Sequence, residues 1–125
     1  MPGENPLPIS VTPDFAQDVT FTGAIAEDVA NTYFYYAERD FIVDAVHAIT
    51  DTADNDMTVD IKKGASGTSV LSSAITTDEA DVIKVGTPSA TENFVPAGTI
   101  LHLEFANVDS ATGVLVQMRI RTKRR

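Results

Sequence analysis

The chain is 125 residues long, 43% hydrophobic and without cysteine, so it can bury the core of one domain while disulfides, thiolate metal sites and thiol catalysis are excluded. Its formal charge of −9 is unevenly placed: residues 1–118 hold four basic and eighteen acidic groups, a balance of −14, while Arg119, Arg121, Lys123, Arg124 and Arg125 put +5 into the last seven positions. A body this acidic repels phosphate backbones, which argues against nucleic acid as a partner. The apolar runs are too short to cross a membrane as a helix, and no basic-then-apolar leader is visible, so synthesis in a cytoplasm and no membrane partner are expected.

Residues 1–18 contain Pro2, Pro6, Pro8 and Pro13. Proline fixes φ and has no amide hydrogen to donate, so this stretch reads as an extended arm. Its apolar residues, Leu7, Ile9, Val11 and Phe15, either lie along a neighbouring subunit or cover an edge of the chain's own sheet.

Residues 19–122 read as the folded body, with 123–125 as a basic tail that is either solvated or set against an anionic partner. From Val19 the period is two: Val19, Phe21, Gly23 and Ile25 alternate with Thr20, Thr22 and Ala24. Thr32–Tyr36 is a second strand, and its run Tyr33-Phe34-Tyr35-Tyr36 must point to both faces, one pair toward the core and the other toward the surface. That run serves either a contact with another protein surface or a strand buried on both sides, because tyrosine combines a large apolar ring with a polar tip. Phe41–Thr50 is apolar on both sets, the pattern of a central strand covered on both faces. Counting by twos places His47 with Phe41, Val43, Ala45 and Ile49, as a core imidazole in preference to a ligand or base.

Farther on, Met57, Val59 and Ile61 alternate with polar neighbours, and Ser69–Ser72 and Val82–Thr87 are shorter strand candidates. Thr77-Asp78-Glu79-Ala80-Asp81 is the best helical turn, with Thr77 able to cap it and acids suited to a helix start. Leu101, Leu103 and Phe105 face one way and Ile100, His102 and Glu104 the other, which puts His102 at the surface. Val114, Val116, Met118 and Ile120 close the pattern. About eight closely spaced strands without a helical stripe define an all-β, two-sheet antiparallel β-sandwich, with the jelly roll as favoured subtype and an extended N-terminal arm.

Catalytic equipment is missing from this pattern. Gly64-Ala65-Ser66-Gly67 has neither the spacing of a nucleophile elbow nor the trailing Lys-Ser/Thr of a phosphate loop. Asp51, Asp54 and Asp56 cluster as calcium ligands can, but lack the order and distal glutamate of an EF-hand, so a solvated turn is the better reading. No catalytic residue, cofactor or metal is therefore assigned.

Three stretches carry a family resemblance: Met57–Ile75 (MTVDIKKGASGTSVLSSAI), Val95–Leu103 (VPAGTILHL) and the closing strand Gly113–Ile120. This hairpin, strand entry and last strand resemble the small β-sandwich proteins that decorate or cement tailed-phage heads. The resemblance implies a structural virion protein, often a homotrimer, seated on the major capsid protein and stabilising the shell. Its contacts are expected from Leu7, Ile9, Val11, Phe15, Tyr35, Tyr36, Arg119, Arg121, Lys123, Arg124 and Arg125. The alternative is a host-receptor or glycan-binding module of a phage fibre or tail, with Tyr33–Tyr36 as its sugar platform.

Overall fold

A computed structural model describes residues 15–23, 29–51, 57–108 and 113–122. They form nine strands: β1 (Phe15–Gly23), β2 (Val29–Tyr36), β3 (Phe41–Thr50), β4 (Met57–Lys63), β5 (Ile75–Thr77), β6 (Lys84–Gly86), β7 (Phe94–Val95), β8 (Ile100–Ala106) and β9 (Val114–Thr122). One sheet runs β1-β9-β3-β6, with β7 also paired to β3, and the other runs β2-β8-β4-β5. Every pairing is antiparallel. The all-β, two-sheet antiparallel β-sandwich read from the sequence is the architecture observed.

Alternation explains why the sheets stack. Val114, Val116, Met118 and Ile120 of β9 face Leu101, Leu103 and Phe105 of β8 across a core completed by Met57, Val59 and Ile61 of β4, all of them buried. At the edge, the half-buried Phe21 of β1 sets its ring 5.9 Å from that of Phe105, tying the two sheets together. Burying these side chains contributes about 1.5–3 kcal/mol each, an upper range for an extended unfolded reference.

The pattern departs from simple alternation at one register shift in β3 and two in β2, of which one lies between Val29 and Thr32. In β3 the register to β9 shifts between Val43 and Ala45, so Asp44 is an extra residue and the inward set changes from Phe41 and Val43 to Val46, Ala48 and Thr50. His47 therefore sits half-buried on the outer face beside Ala45 and Ile49, which corrects its assignment to the core. The same outer set is partly exposed, so β3 is covered fully on one face only. In β2 the register to β8 shifts between Tyr33 and Tyr35.

The segment Thr77–Asp81 is not a helical turn. Thr77 ends β5 fully buried and its hydroxyl donates to the Met57 carbonyl oxygen at 3.1 Å, so the side chain that would cap a helix is used across the sheet. Ser69 and Leu71 make isolated bridges to Lys62 and Pro88 and do not form a strand. Asp60 holds that stretch in place by accepting hydrogen bonds from the Ser69 hydroxyl and the Ile61 amide. Between β4 and Ser69 the chain reverses at Gly64–Gly67, closed by Gly67 N–H to Gly64 O at 3.0 Å and Lys63 N–H to Thr68 O at 2.9 Å.

Candidate interaction surfaces

The outer face of the four-stranded sheet carries an aromatic patch. At the β2 bulge Phe34 and Tyr35 both turn toward the core, and Tyr35 meets Phe41 nearly edge-on at 5.8 Å between ring centres. Their neighbours turn outward: Tyr33 is 76% and Tyr36 53% exposed, and Tyr36 lies opposite Ile100 of β8, itself 42% exposed. A shallow depression of about 410 Å³ runs along these residues. The reversal at Gly64 fixes one side of it, because the Gly64 amide donates to the Ile100 carbonyl at 2.9 Å.

Beside the patch lies an imidazole that the alternation alone would place in water. His102 points to the outer face but is only 7% exposed, because Tyr33 on β2 lies over it with ring centres 5.3 Å apart and Lys62 stands opposite on β4. Its Nδ1 has no hydrogen-bond partner. Lys62 is engaged elsewhere: its ammonium is 2.8 Å from Glu104, and that hydrogen bond raises its pKa above the ordinary lysine value.

The five-stranded sheet has a different outer face. His47, Ala48, Ile49, Ile83, Leu115 and Gln117 line an apolar depression of about 360 Å³ at its β3–β9 end. Val85, 69% exposed, stands directly opposite His47. Farther along β9 the surface is charged but internally paired. The Arg119 guanidinium reaches Asp18 of β1 at 3.1 Å, and that of Arg121 reaches Asp44 at 2.9 Å. The carboxylate of Asp44 is thus presented by the bulge to a strand neighbour.

The structure separates the residues that sequence reasoning grouped. Tyr36 lies in the exposed patch, whereas Tyr35 is half-buried against Phe41. Arg119 and Arg121 lie on the opposite sheet within β9 and are ion-paired. The backbone of Phe15 begins β1 and pairs with Thr122. Leu7, Ile9, Val11, Lys123, Arg124 and Arg125 lie outside the described residues, as do Asp54 and Asp56, while Asp51 accepts the Gly113 amide at 2.9 Å. Among the described residues no three His, Asp or Glu side chains gather as metal ligands. The two histidines occupy outer faces of opposite sheets, so they cannot act on one substrate.

Sequence reasoning did not single out Ile100, Ile83 or Val85. Ile100 had a legible signal, as the one large apolar residue on the polar set of its strand.

No family model matches the chain, and no curated protein matches it. Among solved structures it is similar to a chain of the cyanophage Pam1 capsid asymmetric unit, at 15% identity and TM-score 0.61, over 96% of this chain and 94% of that one. More distant likenesses reach a Bacillus endospore appendage of a family of disulfide-linked pili (11% identity, TM-score 0.43, covering 98% and 100%). Another is the extra small virus particle of the giant freshwater prawn Macrobrachium rosenbergii (11% identity, TM-score 0.41, covering 100% and 88%). Identity this low establishes shared fold alone. The first likeness runs end to end on both sides, so this fold at this chain length is one that a phage capsid contains.

Proposed function

We propose that the chain is a structural virion protein that binds the outer surface of a phage capsid, through the major capsid protein, and stabilises the shell. The observation that carries this reading is the end-to-end fold likeness to a chain of similar length in a phage capsid asymmetric unit. The interleaved order β1-β9-β3-β6 over β2-β8-β4-β5, in which first and last strands pair, supports the jelly-roll form that the sequence suggested.

The surface supports it too. Most charges on the strands are answered within the molecule, and large apolar or amphipathic side chains stand uncovered, among them Tyr33, Tyr36 and Ile100 on one sheet and Val85 and Phe94 on the other. Such patches mark protein contacts more often than they mark bare solvent-facing surface. A modest contact becomes tenacious when several copies engage a symmetric lattice, because each later contact is intramolecular. A homotrimer, the copy number implied by the family resemblance, or another closed oligomer supplies that multivalency. A copy bound only to the assembled shell shifts the equilibrium toward assembly.

The test is to mix the purified protein with undecorated phage heads and measure co-sedimentation and the temperature at which the shells release DNA. Saturable binding that raises this temperature is expected. Absence of binding, or binding without stabilisation, overturns the reading.

A second reading is favoured by one feature, the two exposed tyrosine rings beside a shallow depression of about 410 Å³, which suit the face of a sugar ring. On that reading the chain is a host glycan-binding module, and Tyr33→Ser with Tyr36→Ser abolishes binding to whole cells.

A further inference from the structure

A sheet edge presents unpaired amides and carbonyls, and soluble proteins blunt such edges with short strands, bulges, prolines or lysines. Three of the four sheet margins in this sandwich are blunted. At the far side β5 and β6 are three residues each and β7 is two. On the near side of the four-stranded sheet, β2 is interrupted by two register shifts. The remaining edge, β1, is different. It runs nine residues in unbroken register against β9, contains neither proline nor lysine, and has no strand on its other side among the described residues.

From this we infer that β1 is a pairing edge for β1 of a second copy of this chain, antiparallel across a two-fold axis at Thr20, joining two five-stranded sheets into one. The sequence of the edge selects both the occupant and the register. A two-fold at Thr20 places Val19 against Phe21 of the partner subunit, and the symmetry repeats that contact. Val19 and Phe21 pack against the core yet are only half-buried, so an added strand covers what the monomer leaves open. Aromatic against β-branched side chains is a favourable cross-strand pair.

On the outer face the same register sets Thr20 against its own copy and Asp18 against a threonine. Sliding the axis to Asp18 would oppose two carboxylates, and sliding it to Val19 would set Phe21 against a glutamine. Electrostatics permits the approach despite a net charge of −9 on each copy. Asp18, the charged residue nearest the axis, is already neutralised by Arg119 at 3.1 Å. The residual long-range repulsion is screened by salt, so association strengthens as ionic strength rises. The inference does not depend on shell binding.

Sedimentation velocity on the full chain is expected to give the mass of two copies, increasingly so from 0.05 to 0.5 M salt. Thr20→Lys sets two ammonium groups face to face at an exposed position and is expected to weaken the pair on the order of tenfold while leaving the circular dichroism spectrum unchanged. The absence of native cysteine allows a register test. Thr20→Cys should oxidise to a covalent dimer, because Cα atoms of directly opposed antiparallel residues are about 4.5–5.5 Å apart, within disulfide range. Ser73→Cys, exposed on the loop before β5, should not. A mass of one copy, a mass of three (the copy number that the resemblance implies), or equal crosslinking of the two cysteine variants would overturn the inference. Should Thr20→Lys fail to fold, the cysteine pair decides alone.

Discussion

Two glycines in the reversal after β4 are required for different reasons, and substituting each by alanine separates those reasons. Gly64 has φ +95°, a left-handed conformation, but a Cβ added there would meet nothing within 4 Å. Gly64→Ala therefore carries only backbone strain, about 1–2 kcal/mol. Gly67 is crowded: its Cβ would lie 1.9 Å from the Lys63 carbonyl oxygen and 2.6 Å from the carbonyl carbon. Those are backbone atoms, so the reversal must open by more than a side-chain adjustment. Opening breaks the Gly67 to Gly64 and Lys63 to Thr68 hydrogen bonds and strains the Gly64 anchor on Ile100. At about 1 kcal/mol for each lost bond, Gly67→Ala costs about 2–3 kcal/mol, which lowers Tm on the order of 10 °C for a domain of this size. Thermal unfolding followed by circular dichroism measures both variants, and Gly64→Asn, which tolerates positive φ, serves as a milder control. A Tm drop for Gly67→Ala no larger than that for Gly64→Ala would refute the steric argument. With it would go the claim that this turn positions the Ile100 side of the aromatic patch.

Phe105→Ala removes a fully buried ring that also anchors Phe21, and is expected to cost about 3–5 kcal/mol by denaturant unfolding. His102→Phe keeps a ring under Tyr33 and deletes the unpartnered Nδ1, so stability is expected to rise by about 1 kcal/mol. A loss of stability in that variant would mean that the nitrogen has a partner in solution. Lys84 bonds to both Glu79 and Asp78, which raises the lysine pKa, through Glu79 foremost, and lowers that of Asp78. A lowered acid pKa contributes stability above its ordinary value of 3.8 and loses it as pH falls through the depressed value. A raised lysine pKa contributes below its ordinary value of 10.5 and loses it as pH rises through the raised one. Protection factors of the amides across 78–84, with the intrinsic pH dependence of exchange divided out, should therefore hold between these limits and fall beyond them at both ends.

The strands whose partners lie on both sides were the most legible. β3 was read to its end residues, and the inward sets of β4, β8 and β9 were read residue by residue, because those three strands keep strict alternation where β3 is bulged. Elements whose identity is set by distant contacts were not. Thr77 looks like a helix cap locally and becomes a strand end through the Met57 carbonyl, twenty positions away. Ser69–Ser72 has the composition of a strand, but Asp60 captures the Ser69 hydroxyl and holds the segment as bridges.

The candidate interaction surfaces were hidden by the same two features that create them. A bulge adds one residue to one strand, so every side chain beyond it changes face, and composition does not mark where it falls. In β3 this extra residue moves His47 from the predicted core to the outer face and delivers Asp44 to Arg121. In β2 it sends Phe34 and Tyr35 inward together, leaving Tyr33 and Tyr36 as the exposed pair. Arg119 and Arg121 read in sequence as the start of a basic tail because their acidic partners are 101 and 77 positions away. Those pairs set the positive charge of this strand against carboxylates of the same chain. Besides exposed charged segments such as Glu38–Asp40 and Asp78–Glu79, the sandwich leaves three weakly charged regions uncovered: an aromatic patch on one sheet, an apolar depression on the other, and the regular edge of β1. On the proposed reading these three regions, more than the paired charges, are where a partner is to be sought, and the net charge of −9 opposes indiscriminate association.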